Sequence, residues 1–220
     1  YNNKLRGGLQ LLRYFLFRSG PFADNGNYSN TFVHSSNDIP TPDMMVTFMA
    51  WCTTEDLIPR PFSGFTILAE HMRPQSRGHV RLKGPDVRTD PAIQFNFFEH
   101  EVDHRAAIEG LRWGRRISQT QPMADCVKRE ISPGLDVTSD DEIIAYCRQN
   151  GLSLLHSVGT CAMGTGPDAV VDTDLRVHGL SGLRVIDASI MPRIVTANTN
   201  AATIMIGEKG AAHILSDLNS

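Results

Sequence analysis

The sequence predicts an α+β layer over residues 1–150, an antiparallel sheet covered by helices, followed over 151–220 by one strand and one helix of a doubly wound α/β sheet. Three observations predict it. Residues 79–83 and 92–97 alternate apolar and polar side chains, the two-residue period of half-buried antiparallel strands. From Asp103 the period lengthens, and Ala106, Gly110, Trp113 and Ile117 fall on one face of a helix. Residues 183–186, Leu-Arg-Val-Ile, form a short and nearly continuous apolar run ending at Asp187, as in a parallel strand buried on both faces.

Each element has its own local cause. Residues 4–17 carry a helical pattern, residues 25–38 are polar and read as loop, and residues 44–51 and 65–70 are rich enough in apolar and aromatic side chains to be strands. Ser139 with Glu142 makes a capping box, Ile143, Ile144 and Cys147 give the buried stripe, and Asn150-Gly151 is the stop, so 139–150 is a helix. After Pro192 comes a final helix, capped by Asn198-Thr199, with Ile204, Ala211 and Leu215 as its buried stripe. A single strand and helix cannot make a sheet, so 151–220 is expected to complete a sheet built elsewhere and to hold no closed core of its own.

Composition narrows the function. With 220 residues, 41% hydrophobic and 20% charged, the chain is globular, and its net charge of −3 with scattered Lys and Arg gives no basic field for nucleic acid. No apolar run approaches the roughly 20 residues that span a bilayer. Cys52, Cys126, Cys147 and Cys161 form no CxxC pair and have no His at zinc spacing, so they read as free thiols, and no metal site is expected. The chain starts at Tyr1 with neither an initiator Met nor a signal-peptide pattern, which leads us to expect further sequence upstream.

Two segments carry chemistry: 155–164, Leu-His-Ser-Val-Gly-Thr-Cys-Ala-Met-Gly, and 183–209, which runs from Leu183 through Asp187-Ala188 and Pro192 to Asn198-Thr199-Asn200 and Gly207-Glu208-Lys209. Together they resemble the C-terminal signature of the glucose-methanol-choline (GMC) oxidoreductases, closest to choline-dehydrogenase-like members. Ser76-Arg77-Gly78-His79-Val80-Arg81-Leu82 resembles the SRGxVxL stretch of that family's substrate domain, and 109–117 its following helix. The resemblance implies a GMC substrate-binding domain over 1–150. It implies the C-terminal portion of a Rossmann-like FAD-binding domain over 151–220, with a small-molecule alcohol as substrate. No G-x-G-x-x-G turn occurs in these residues, so the ADP end of the FAD is expected to lie on an N-terminal half of the same protein.

Residue by residue, the resemblance implies that His156 is the catalytic base beside flavin N5 and Asn198 its partner on the substrate oxygen. Imidazole suits the first task because it changes protonation near neutral pH, and an amide suits the second because it hydrogen-bonds without taking the proton. Thr199 and Asn200, at the positive end of the last helix, are expected to face the flavin N1 and O2 region. Asp187 and Ala188 are expected near the ribityl and pyrophosphate, and Leu155 on the flavin wall. The reaction implied is oxidation of an alcohol to an aldehyde or ketone. A hydroxynitrile lyase on the same scaffold and a non-catalytic binding module are the competing readings, the latter disfavoured because His156 and Asn198 are both present. Ser157 and Cys161 lack a G-x-S-x-G elbow and an orienting acid, which argues against a hydrolase. His71, His100, His104, His178 and His213 show no charged or metal-like pattern and read as structural, and Phe48, Trp51, Phe62 and Phe65 read as core.

Overall fold

A computed structural model describes residues 3–24, 26–53, 58 and 60–219. The chain forms two compact units, one made of residues up to His71 together with Glu101–Gly151, the other of Met72–His100 together with the residues from Leu152 onward. The expected boundary lay at 150/151. The segment 72–100 joins the C-terminal part.

The first unit is a three-stranded antiparallel sheet covered by helices. Strands β1 (Asn27–Val33), β2 (Met44–Met49) and β3 (Thr66–His71) lie in the order β1-β2-β3, with Val46 opposite both Thr31 and Ala69. Strand β1 corrects the expected loop at 25–38. Its residues alternate polar side chains on an edge strand and are exposed up to Val33, so no apolar period marks it. Helix α1 (Lys4–Phe17) forms as expected, started by Asn3, whose Oδ1 accepts the Leu5 and Arg6 N–H groups at 3.1 and 3.2 Å.

Helix α2 (Glu101–Gln119) is the spine of this unit because both of its flanks are apolar. Ala106, Trp113 and Ile117 pack on Val33, Met44, Val46 and Ile67 of the sheet. Ala107, Ile108 and Leu111 pack against Ile143, Ile144, Val137 and Cys147 of helix α3 (Asp140–Asn150) and the loop before it. The capping box of α3 is complete: Ser139 Oγ accepts the Glu142 N–H at 3.3 Å, and Glu142 Oε2 accepts the Ser139 and Thr138 N–H groups at 2.9 Å each. Those backbone donors hold the Glu142 carboxyl down at about 2. Burial pushes the Cys147 thiol up to about 11.

One cluster was invisible in the sequence. His71, at the end of β3, lies between two buried carboxylates, with Nδ1 3.2 Å from Asp103 Oδ1 on α2 and Nε2 3.9 Å from Asp43 Oδ2 before β2. Among the described residues, neither ring nitrogen has an aligned hydrogen-bond partner. Asp43 is itself held by the Ser35 N–H and hydroxyl at 2.8 and 2.6 Å. The reading of His71 as lacking a charged constellation is therefore corrected. Three segments far apart in sequence supply the group, and no local pattern could reveal it.

The second unit has little regular structure. Strands β4 (His79–Arg81) and β5 (Ala92–Gln94) form an antiparallel pair that is mostly exposed, so alternation there marks strand but not the expected half-burial. Helix α4 (Asn200–Leu218) packs Ala202 and Ile206 onto Val171, Leu175, Ile190 and Met191. The helical period was right and its phase was not: Ile204 and Leu215 are 59% and 60% exposed, while Ile206 and Gly210 are buried. A methyl on Gly210 would fall 2.3 Å from Ile186 Cγ2, so α4 packs tightly on the 183–187 segment along that buried face. Residues 183–186 make no ladder among the described residues. Their backbone bonds go to local turns, with Val177 N–H donating to Leu183 O at 3.0 Å and Val185 N–H to Leu175 O at 3.1 Å, plus one bridge between Arg184 and Arg176. Within 151–220 a small apolar cluster gathers around Val171.

Two measurements follow from the first unit. Ile143 is fully buried between α2 and α3, so Ile143→Ala should lower the urea unfolding free energy by about 2–5 kcal/mol with little change in m-value. At His71 burial is the largest influence and pushes the imidazole pKa down, although Asp103 and Asp43 both pull it up. The unfolded chain then takes the proton first, so stability falls as pH drops below about 6.5. In melts recorded between about pH 7 and 5, His71→Gln should flatten that decline.

Candidate active site

The site is built from a loop, a turn and the start of a helix, all in the second unit. Residues 156–163 are laced to the turn that follows Asp187: Gly159 and Cys161 N–H groups donate to Ser189 O at 3.1 and 3.0 Å, and Met163 N–H donates to Ile190 O at 2.8 Å. Gly159 has φ +93°, and a Cβ there would lie 3.4 Å from Met191 O, so only glycine follows this path without strain. The turn is a short 3-10 helix (Ala188–Ile190) whose cap is Asp187, with Oδ1 accepting the Ser189 N–H at 2.7 Å. Ala188, Ile190 and Met191 then sink into the Val171 cluster.

This lacing brings His156 to the N-terminus of α4. His156 Nδ1 and Thr199 Oγ1 are 3.0 Å apart, across 43 residues of sequence, and no partner for Nε2 occurs among the described residues. Thr199 is the N-cap of α4 and is only 7% exposed, yet its side chain makes no capping bond to the helix. The N–H groups of Asn200, Ala201 and Ala202 likewise have no partner among the described residues. A helix start in this state carries a positive pole and free donors.

The other predicted residues fall around this contact. Asn198 is exposed, and its side chain makes no hydrogen bond among the described residues, so the expectation that it caps α4 is corrected: the cap position belongs to Thr199. Leu155 has φ +61° and a side chain 91% exposed, its N–H held by Ser153 Oγ at 3.2 Å. Asn200 is exposed at the first turn of α4, and Asp187 and Ala188 sit on the turn that anchors the loop. His178 lies 3.1 Å through Nε2 from Gly164 O and props the end of the 155–164 segment. The group the sequence reading missed is the Thr199 hydroxyl. A Thr before a helix reads as a cap, and only the fold shows that its oxygen faces an imidazole.

The family model for GMC oxidoreductases matches residues 74–207, more than half of the chain and a span that includes His156 and Asn198. The chain belongs to the GMC oxidoreductase family. As a GMC oxidoreductase it is 40% identical over 213 residues to an alcohol dehydrogenase [acceptor] of Pseudomonas putida, covering 96% of this chain and 38% of that protein. It is 41% identical over 202 residues to an oxygen-dependent choline dehydrogenase of Klebsiella pneumoniae, covering 88% of this chain and 35% of that one. Pyridoxine 4-oxidase from Mesorbium loti superposes with a TM-score of 0.77 at 29% identity, over 85% of this chain and 37% of the oxidase. The chain thus spans a little over a third of the length of these GMC relatives.

The lacing has a direct test in this GMC chain. Gly159→Ala places a side chain at positive φ beside the Met191 carbonyl and should destabilise the second unit by about 1 kcal/mol or more. A lower urea midpoint, with faster amide exchange at Gly159, Cys161 and Met163, is the expected result.

Proposed function

We propose that the chain is the flavin- and substrate-facing C-terminal part of an FAD-dependent oxidoreductase that converts an alcohol to an aldehyde or ketone, with His156 as general base. The observation that carries this reading is the anchored imidazole, with Nδ1 3.0 Å from Thr199 Oγ1 and Nε2 without a partner among the described residues. A ring fixed through one nitrogen and open at the other is arranged to accept a proton. Asn198, adjacent in the chain to Thr199 and with an amide uncommitted among the described residues, can donate to the same substrate oxygen. The names of the relatives, an alcohol dehydrogenase and a choline dehydrogenase, support an alcohol as the substrate class.

The residues present fit an FAD. The uncapped start of α4 offers three unpaired N–H groups and the positive end of a 19-residue helix, suited to the electron-rich edge of an isoalloxazine. Thr199 and Asn200 would hold that edge through their backbone. Asp187, with one carboxylate oxygen committed to the Ser189 N–H, and Ala188 would face the ribityl chain, and exposed Leu155 would cover a flank. FAD, when bound, supplies the acceptor for the hydride that leaves the carbinol carbon. His156 Nε2 takes the hydroxyl proton, and the Asn198 amide keeps the oxygen pointed at it. The remaining length of the full protein is proposed to carry the dinucleotide end of the cofactor.

Anaerobic stopped-flow reduction of the full-length flavoprotein by a good alcohol substrate tests this. His156→Ala should slow reduction by about 10² to 10⁴, the usual range for loss of a general base, while the flavin stays bound. Asn198→Ala should cost about 10 to 10³, and the double variant less than the product of the two, because both groups act on one oxygen. A reduction rate near wild type in His156→Ala would remove the base assignment.

A further inference from the structure

We infer that Thr199 is a positioning residue that sets the tautomer of His156: the ring Nδ1–H donates to Thr199 Oγ1, and this keeps the lone pair on Nε2. The inference rests on the reading of His156 as a base, because only the Nδ1–H form leaves the open nitrogen able to take a proton. In the opposite arrangement Thr199 would donate to Nδ1, Nε2 would carry the hydrogen, and the exposed edge of the ring would be a donor.

The geometry favours a fixed role for this hydroxyl. Thr199 is nearly buried, so water competes little for its oxygen, and its β-branched side chain is stiff at χ1. Its backbone is pinned as well, since Thr199 O accepts both the Thr203 N–H and the Thr203 hydroxyl at 2.9 Å. On the other side, the bonds of Gly159, Cys161 and Met163 hold the loop that carries His156. Two rigid segments therefore meet through one hydrogen bond. Thr199 also stands at a helix N-cap, where a threonine oxygen ordinarily accepts an N–H of the first turn, and here it makes no such bond. Thr199 has φ −75° and ψ −13° in place of the extended backbone of a capping residue, and its hydroxyl faces the imidazole. When His156 takes the substrate proton at Nε2, the Nδ1–H bond to Thr199 Oγ1 is kept. No second proton has to move.

The test uses the full-length holoenzyme labelled with nitrogen-15 histidine, the His156 signals being assigned by difference from His156→Gln. In the wild type the deprotonated ring nitrogen should be Nε2. Thr199→Val, which keeps the branched shape and removes the oxygen, should convert the ring to a mixture of tautomers and slow anaerobic flavin reduction about 10- to 100-fold, the usual cost of losing an orienting partner. Thr199→Ser should restore both, and Thr199→Ala replaces the valine variant if that protein does not fold. A wild-type Nε2–H signal, or Thr199→Val spectra identical to wild type, would overturn the inference. The spectra do not depend on turnover. A normally reducing His156→Ala enzyme would thus remove the base assignment while the tautomer result stands or falls alone.

Discussion

The placement of His156 in the second unit depends on three backbone hydrogen bonds, from Gly159, Cys161 and Met163 to the carbonyls of Ser189 and Ile190. A segment with almost no regular secondary structure has few other ways to hold a side chain in register, because it lacks the repeated ladders of a helix or sheet. Backbone bonds cost no side-chain entropy, and here they run between the two sequence motifs that resemble the family signature. The apolar cluster around Val171 backs the turn from beneath, and Asp187 closes its first N–H. His156 is thereby delivered to α4 by main chain, which leaves its side chain free for one directed contact.

The first unit is organised differently. Its strength lies in α2, which is apolar on two flanks and so joins a sheet to a second helix, while the His71 group ties the start of that helix to the ends of β2 and β3. Fully buried Ile143 and nearly buried Ala106 mark the two interfaces. Burial there is a matter of packed hydrocarbon, for which the hydrophobic term dominates. In the second unit direction matters more than area.

How far the sequence carried the argument follows from that contrast. Helices α2 and α3 were legible because their apolar spacing and the Ser139–Glu142 box are local signals. His156 and Asn198 were singled out through the family motif and not through period or composition. Strand β1 was hidden because an exposed edge strand with Asn and Ser on it has no apolar rhythm. The phase of α4 was misread because a helix with apolar residues on more than one side does not say which side faces the core: Ile204 and Ile206 are equal as hydrophobes, and only Ile206 meets the Val171 cluster. The Asp43–His71–Asp103 group and the His156–Thr199 contact are long-range pairings, which no window along the chain contains.

The bare start of α4 has a consequence for protein engineering. A routine survey for weak points would single it out, since a helix of 19 residues with no side-chain cap and no acidic residue in its first turn offers an easy gain in thermal tolerance. Introducing an acid there, or a residue whose oxygen folds back onto the first turn, would occupy the donors of Asn200, Ala201 and Ala202 or replace the hydroxyl that faces His156. Helix α3 differs: its cap is complete, and the Ser139 and Thr138 N–H groups hold Glu142 well below the usual carboxylate range. In this chain the gain in heat resistance is on offer at the helix end that the proposed site would use, so the two aims meet at one position.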